Sequence, residues 1–356
     1  MRNRAWRARV AGAWLLAVPG SVAAQDWLGL HGLFDVEGWW TSGSSTLLSR
    51  ERRGALVGRG YLLWVVEPRA GLQIVGGNEV EGATDEDEVE LEIDHLTLRA
   101  APAPWLIVDA GKFAHPVGAF AARRFSNINP LIGRPDGYPV TYPLGLMVSG
   151  VQARFDYRAA LVTLPPSSPD YLPEPGVRLR PAAGVGFTPF IGLRLGGSWT
   201  AGPYLHEDFG PVLPAGSRWQ DFGARIVAGD LRFARGYFEL FAELAASWYE
   251  VPTYANEVKG TTYYVEAKYT WSPRLFTAAR FERNLYAFIQ VRGGAWQARA
   301  TDFINGEVAV GYRLTTHALL KVSYRADDWD IAPAQQAFLG EGQALALQFS
   351  YQMTNR

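Results

Sequence analysis

The residues whose types and spacing suit chemistry gather in one stretch, 114–144, AHPVGAFAARRFSNINPLIGRPDGYPVTYPL. Arg123, Arg124 and Arg134 stand there against a single acid, Asp136, with Lys112 and His115 at the entrance. Such a set attracts or repels charged solutes, but it offers no nucleophile beside a base. His31, His95, His206 and His317 are scattered without metal-ligand spacing, and the chain has neither an HExxH motif nor a nucleophile elbow. With no cysteine anywhere, thiol nucleophiles, thiolate zinc and disulfides are excluded. The chemistry to expect is electrostatic, with no catalysis, no cofactor and no metal.

The prolines and glycines of 114–144 deny it a long helix or a central strand, yet its Ile, Leu, Phe and Tyr content is too apolar for a solvated linker. A long loop of that composition is folded inward. Two readings of its arginines stand together: they line a narrow, positive passage, or they pair with carboxylates of the surrounding wall and pin the loop. Lys112 shares its alternation phase with Leu106, Val108 and Ala110, which makes it a rim residue unless a bulge intervenes. Asn127 and Asn129 suit turns better than solute contacts.

The elements that position this loop announce themselves at the N-terminus. Arg2, Arg4, Arg7 and Arg9 precede an apolar core, Val10 to Val18, then Pro19-Gly20 and the small residues Val22-Ala23-Ala24. This is the pattern of a cleaved secretory signal peptide, residues 1–24, too short in its apolar part to span a bilayer as a helix. Without those four arginines the 34 basic residues become 30, against 35 acids, a formal charge of −5. No nucleic-acid partner is expected of such a chain. No later window carries a transmembrane helix, while aromatic residues reach 13 % and alternate with polar ones. That combination in an exported chain predicts an all-β fold, a transmembrane antiparallel barrel formed by residues 25–356 in the bacterial outer membrane.

The alternation is explicit. Leu30, Gly32, Phe34, Val36, Gly38 and Trp40 share one face, with His31, Asp35 and Glu37 on the other; Tyr263, Val265, Ala267, Tyr269 and Trp271 oppose Tyr264, Glu266, Lys268 and Thr270. About sixteen strands follow, with short breaks after the even ones, such as Ala234-Arg235-Gly236, and longer breaks after the odd ones. Between the sixth strand, 145–155, and the seventh, 159–164, a turn is expected around Asp156-Tyr157-Arg158. Seven short turns on one side and eight loops on the other is the arithmetic of a closed sixteen-stranded barrel, with 114–144 between strands five and six. The nine acids between Glu79 and Asp94 read as a solvated surface, or as an external loop that binds divalent cations or lipopolysaccharide bridged by them.

Sixteen strands enclose water. The inward set by alternation includes Arg59, Arg178, Arg180, Arg194, Lys268, Arg280, Lys321 and Arg325, against Asp35, Glu37, Glu239, Glu243, Glu266, Glu282 and Glu307. Charge in that number is tolerated across a membrane only on a wet face.

The chain resembles a sixteen-stranded bacterial porin, whose loop between strands five and six folds inward and constricts the pore. Gly111-Lys112-Phe113, then Pro116 and Gly118, is similar to the block by which the phosphate-selective porin O and P family enters that loop. The resemblance implies passive diffusion of small hydrophilic solutes, leaning towards anions through the loop arginines, and a homotrimer. A non-conducting barrel plugged by the loop and serving as a scaffold for a partner is the alternative. An enzyme in a barrel would need a constellation that the sequence does not supply, and a transporter of hydrophobic compounds would want an N-terminal plug longer than Gln25 to Trp27.

Overall fold

The structure, a computed structural model, describes residues 28–43, 56–84, 89–135, 137, 140–163, 165, 178–205, 210–211, 213–252, 257–292, 295–330 and 342–354. The expected signal peptide and Asp136 lie outside the described residues.

Sixteen antiparallel strands close on themselves, each beside its sequence neighbours, with the first paired to the last. They are β1 Leu28–Gly43, β2 Leu56–Arg69, β3 Leu72–Ala83, β4 Val89–Ala103, β5 Leu106–Lys112, β6 Leu144–Gln152, β7 Phe155–Val162 and β8 Arg180–Phe190. The second half comprises β9 Leu193–Pro203, β10 Gly223–Arg235, β11 Phe238–Tyr249, β12 Val258–Thr270, β13 Leu275–Arg292, β14 Ala295–Arg313, β15 Ala318–Asp330 and β16 Gly342–Thr354. Closure pairs the backbone groups that a hydrocarbon phase would otherwise leave unsatisfied.

The two faces separate as the alternation requires. Leu91, Val185, Val308 and Leu345 are among the exposed large apolar side chains, and exposing them to water instead of lipid would cost each roughly 1.5–3 kcal/mol. Their strand neighbours Glu90, Gly184, Glu307 and Ala344 take the other face, towards the lumen. Short turns follow every even strand, the arrangement that bacterial barrels keep on their periplasmic side.

Three expectations are corrected. Asp156, Tyr157 and Arg158 form no turn; they lie within β7, and the chain reverses at 153–154, where Ala153 takes φ +54°. The charges that imitate a turn are lumen residues: Asp156 accepts from Arg194 at 2.7 Å, and Arg158 donates to the carbonyls of Pro116 and Gly118 at 2.5 and 2.8 Å. The break after the thirteenth strand is not long, because β13 and β14 run for 18 and 19 residues and only two residues separate them. The acidic run is not simply surface either. Glu79 and Glu81 on β3, with Glu90, Glu92 and Asp94 on β4, alternate with the exposed Val80, Leu91 and Ile93, so five of its nine acids face the lumen; 85–88 lie outside the described residues.

Candidate functional site: a loop bridging the lumen

Between β5 and β6 the chain leaves the wall and crosses the interior, with one short 3-10 turn at Phe120–Arg123. Its apolar residues explain why it stays there. Phe113, Phe120, Leu131, Ile132 and Tyr142 are buried against the wall, Phe113 on Ala160, Val162 and Ala182 and Leu131 on Ala278 and Ala309. Small alanines on the strands make the seats, and loop side chains fill them.

Polar contacts then fix the path. Ala119 N–H donates to Glu243 at 2.9 Å, Ser126 to Asp35 at 2.6 Å, Ile132 and Gly133 N–H to Glu307 at 3.1 and 2.9 Å, and Gly137 N–H to Glu282 at 2.8 Å. Lys321 Nζ, fully buried, donates to the carbonyls of Asn129 and Leu131 at 2.8 and 3.2 Å. Asn129 closes its own turn by accepting from Leu131 N–H and donating to the carbonyl of Gly133. We expect Lys321→Met to strip two buried carbonyls of their donor and destabilise the protein by about 1–3 kcal/mol, with amide exchange in 129–133 accelerated; unchanged exchange would mean that the apolar seats alone hold the loop.

The two adjacent arginines define the geometry. Arg123 pairs with Glu266 on β12, and Arg124 pairs with Asp94 on β4 and, at 3.2 Å, with Glu79 on β3. In a ring of sixteen, β4 and β12 are eight strands apart, diametrically opposed. Two consecutive residues therefore brace opposite walls, and the loop forms a strut across the lumen. Arg123 also lies 3.4 Å over the Phe241 ring, and Arg124 packs over Phe125 and Tyr142 at 4.6 and 4.9 Å. Burial disfavours the Arg124 charge, but Tyr142, Asp94 and Glu79 outweigh it and raise its pKa above the ordinary value. The phenol of Tyr142 is pushed up by its own burial.

A bulge lies at one of these partners. Along β4 the register to β3 shifts between Ile93 and His95, leaving Asp94 as the extra residue. Simple alternation after Glu90 and Glu92 continues to Asp94, then breaks: Leu96 and Leu98 are the exposed residues beyond it. The bulge lets Asp94 and His95 occupy the inner side in succession, a usual use of such irregularities.

The other expected site residues divide clearly. Arg59 joins Glu37 and Glu81, both at 2.7 Å, and Arg194 joins Asp156 and Asp230; Lys268 bonds Glu239 at 2.6 Å. Arg280 lies between Glu266 at 3.6 Å and Glu307 at 2.7 Å, and Arg325 meets Asp327 at 3.0 Å. All face the lumen as alternation predicts. Arg180 does too, but it is fully buried and spends its donors on Thr200 and the carbonyls of Pro203 and Ala224. Arg178 precedes β8 and is exposed, so it belongs to the β7–β8 connection and not to the wall.

Two residues at the loop's entrance do not join a ring of positive charge. Lys112 pairs in register with the outward Leu96, and its Nζ donates to the Ile93 carbonyl at 2.7 Å, serving the sheet beside the bulge. His115 accepts from Val117 N–H at 3.2 Å through Nδ1, which requires a ring nitrogen without a proton. Arg134 alone of the loop arginines is exposed; it reaches Tyr61 at 3.4 Å.

Sequence reasoning missed Glu79, Asp94 and Tyr61 as loop partners. For Asp94 and Glu79 a signal existed, since the acids alternate with Val80, Leu91 and Ile93.

A closed antiparallel barrel, apolar outside and charged within, is the architecture by which β-proteins cross a membrane, and sixteen strands lie within the range of the bacterial outer-membrane barrels this chain resembles. Similar solved structures include OmpT of Vibrio cholerae folded in vitro (TM-score 0.61, 10% identity, covering 92% of this chain and 97% of that one). A loop L8 deletion mutant of the same protein gives 0.60 at 11% identity, covering 92% and 99%, and Salmonella typhi OmpF in complex with daunomycin gives 0.63 at 12%, covering 92% and 97%. At such identities the likeness is one of fold. No family model and no curated protein matches the sequence.

Proposed function

We propose that this protein is a passive outer-membrane channel, a porin, for small hydrophilic solutes, narrowed by the loop at 113–143, and not an enzyme. The observation that carries the reading is the lumen wall: charged side chains face inward on strands around the ring, and Arg59 on β2, Arg194 on β9 and Lys268 on β12 with their carboxylate partners keep part of their surface open to the lumen. A barrel built only as a scaffold has no need of a charged interior, and a wet one favours solute passage. Its partners on this reading are lipid, lipopolysaccharide and the solutes themselves, with a homotrimer as the expected assembly. The lean towards anions is weakened, because, of the three loop arginines, Arg123 and Arg124 are neutralised by Glu266, Asp94 and Glu79, and Arg134 alone is exposed.

A second reading has its own observation. The strut braces opposed walls, which favours a sealed barrel that holds its loop as a plug. Single-channel recording of the purified protein in a planar bilayer separates the two, comparing wild type with Arg123→Ala/Arg124→Ala/Arg134→Ala. Small, regular conductance steps in wild type that enlarge in the triple variant are expected. Silence in wild type with opening in the variant would establish the plug, and silence in both, from a folded barrel, would end the channel reading.

A further inference from the structure

The loop does not cover the lumen evenly. On β12 to β16 the inward Glu266, Glu282, Asn305, Ala309 and Ser323 are all buried, so that stretch of the wall is filled. Along β1 to β4, two cavities are found among the described residues. One, of about 160 Å³, opens beside the β3–β4 connection and is lined by Glu79, Glu81, Glu90, Glu92 and Asp94 with Arg124 and Arg134. The other, of about 150 Å³, lies nearer the short turns between His31, Leu63, Tyr61 and the loop residues Phe125 and Ile128. Arg124 lines the outer cavity, Tyr61 and Phe125 line the inner one, and the three side chains touch. Tyr61 and Phe125 meet edge to face at 5.3 Å, and Arg124 packs on Phe125.

We infer that the solute route runs off-centre along β1 to β4, that Tyr61, Arg124 and Phe125 are its gate, and that it selects cations. This rests on the channel reading above. The route is placed by the two cavities along β1 to β4 and by the filled wall of β12 to β16, which adjoins them through the β16–β1 pair. The sign follows from the lining of the outer cavity, where five carboxylates face Arg124 and Arg134, with Arg59 bonded to Glu81 from β2, an excess of two negative charges; Glu79 lies directly opposite Glu92 and Glu81 opposite Glu90 across the β3–β4 ladder. Like charges placed face to face weaken a sheet, and a passing cation relieves them while an anion is repelled. The gate is soft because an aromatic edge contact of this kind is worth only about 0.5–1.5 kcal/mol beyond its burial. A swing of the Phe125 ring is enough to join the cavities.

The chain's lack of cysteine makes the test clean. Leu63→Cys in the inner cavity and Ala309→Cys in the filled stretch are reconstituted in planar bilayers and in vesicles and treated with a cationic methanethiosulfonate. We expect Leu63→Cys to be labelled and its conductance to fall, and Ala309→Cys to stay unlabelled. Phe125→Ala should raise conductance several-fold. Reversal potentials under a salt gradient should report cation preference in wild type, reduced in Glu90→Gln/Glu92→Gln. Equal labelling of both cysteines in a conducting protein would overturn the route and leave the channel standing. Anion preference in wild type would overturn the selectivity. No conductance in any variant would remove the channel and the selectivity together, while the labelling pattern still decides which part of the lumen is open.

Discussion

Glu266→Gln is expected to cost the folded barrel about 3–5 kcal/mol. The Glu266 side chain is fully buried and holds Arg123 from the loop, with Arg280 from β13 on its other oxygen. Arg280 keeps Glu307 when the charge is removed. Arg123 keeps its stacking on Phe241 and a neutral amide acceptor, but a guanidinium desolvated to that degree without a counter-charge is expensive. The pair is a poor source of net stability compared with apolar packing, yet breaking it from one side is costly for that reason. Glu239→Gln is the control, since its partnership with Lys268 is partly solvated and worth under about 1 kcal/mol. Urea unfolding in lipid or detergent compares the two, and equal losses would mean that water reaches the strut.

The second large effect is expected at Gly111, the next-to-last residue of β5 before the chain leaves the wall. Its φ is +135°, a region that side chains avoid, and a Cβ there would lie 2.2 Å from the Leu96 carbonyl oxygen. The obstacle is the backbone of the neighbouring strand, which cannot step aside without giving up the β4–β5 ladder. We expect Gly111→Ala to destabilise by about 3 kcal/mol or more and to reduce the folded fraction seen as a heat-modifiable band on gels. Gly60→Ala, where nothing lies within 4 Å of the added carbon, should fall within about 0.5 kcal/mol of wild type. Because Gly111 aims the chain into the lumen, the variant should also loosen the contacts of Phe113 and His115 further on.

Much of this architecture is legible in the sequence for one physical reason. Lipid on one side and water on the other impose a period of two on every spanning strand, so Tyr263 to Trp271 or Phe238 to Trp248 declare their faces without help. The length of the connections then orients the barrel, and the apolar, proline-broken stretch after Phe113 declares itself an inward loop. What alternation cannot show is anything that departs from it or that joins distant segments. Alternation carries Glu90, Glu92 and Asp94 to the inner face, but the bulge that then turns His95 inward as well has no signature in the sequence. Asp156-Tyr157-Arg158 looks like a turn because charged residues are common both in turns and on wet walls. The pairing of Arg123 with Glu266 spans 143 residues and depends on which strands stand opposite each other. The sequence therefore offers the arginines as a charged set, and only the closed ring reveals that two of them are already matched.

The strut also orders events during assembly. Some of its anchors on the wall are supplied late: Glu266, Glu307, Lys321 and Gln352 follow the loop by 143 to 225 residues. Contacts of such separation form only after the intervening chain has been closed into place. Arg124 and Ser126 find partners on β3, β4 and β1, made before the loop, but Arg123 and the amides of Ile132, Gly133 and Gly137 must wait, hydrated, until β12 to β14 have been laid down. One end of the strut is therefore seated early, and the other is the last to be fixed, once there is a second wall to brace.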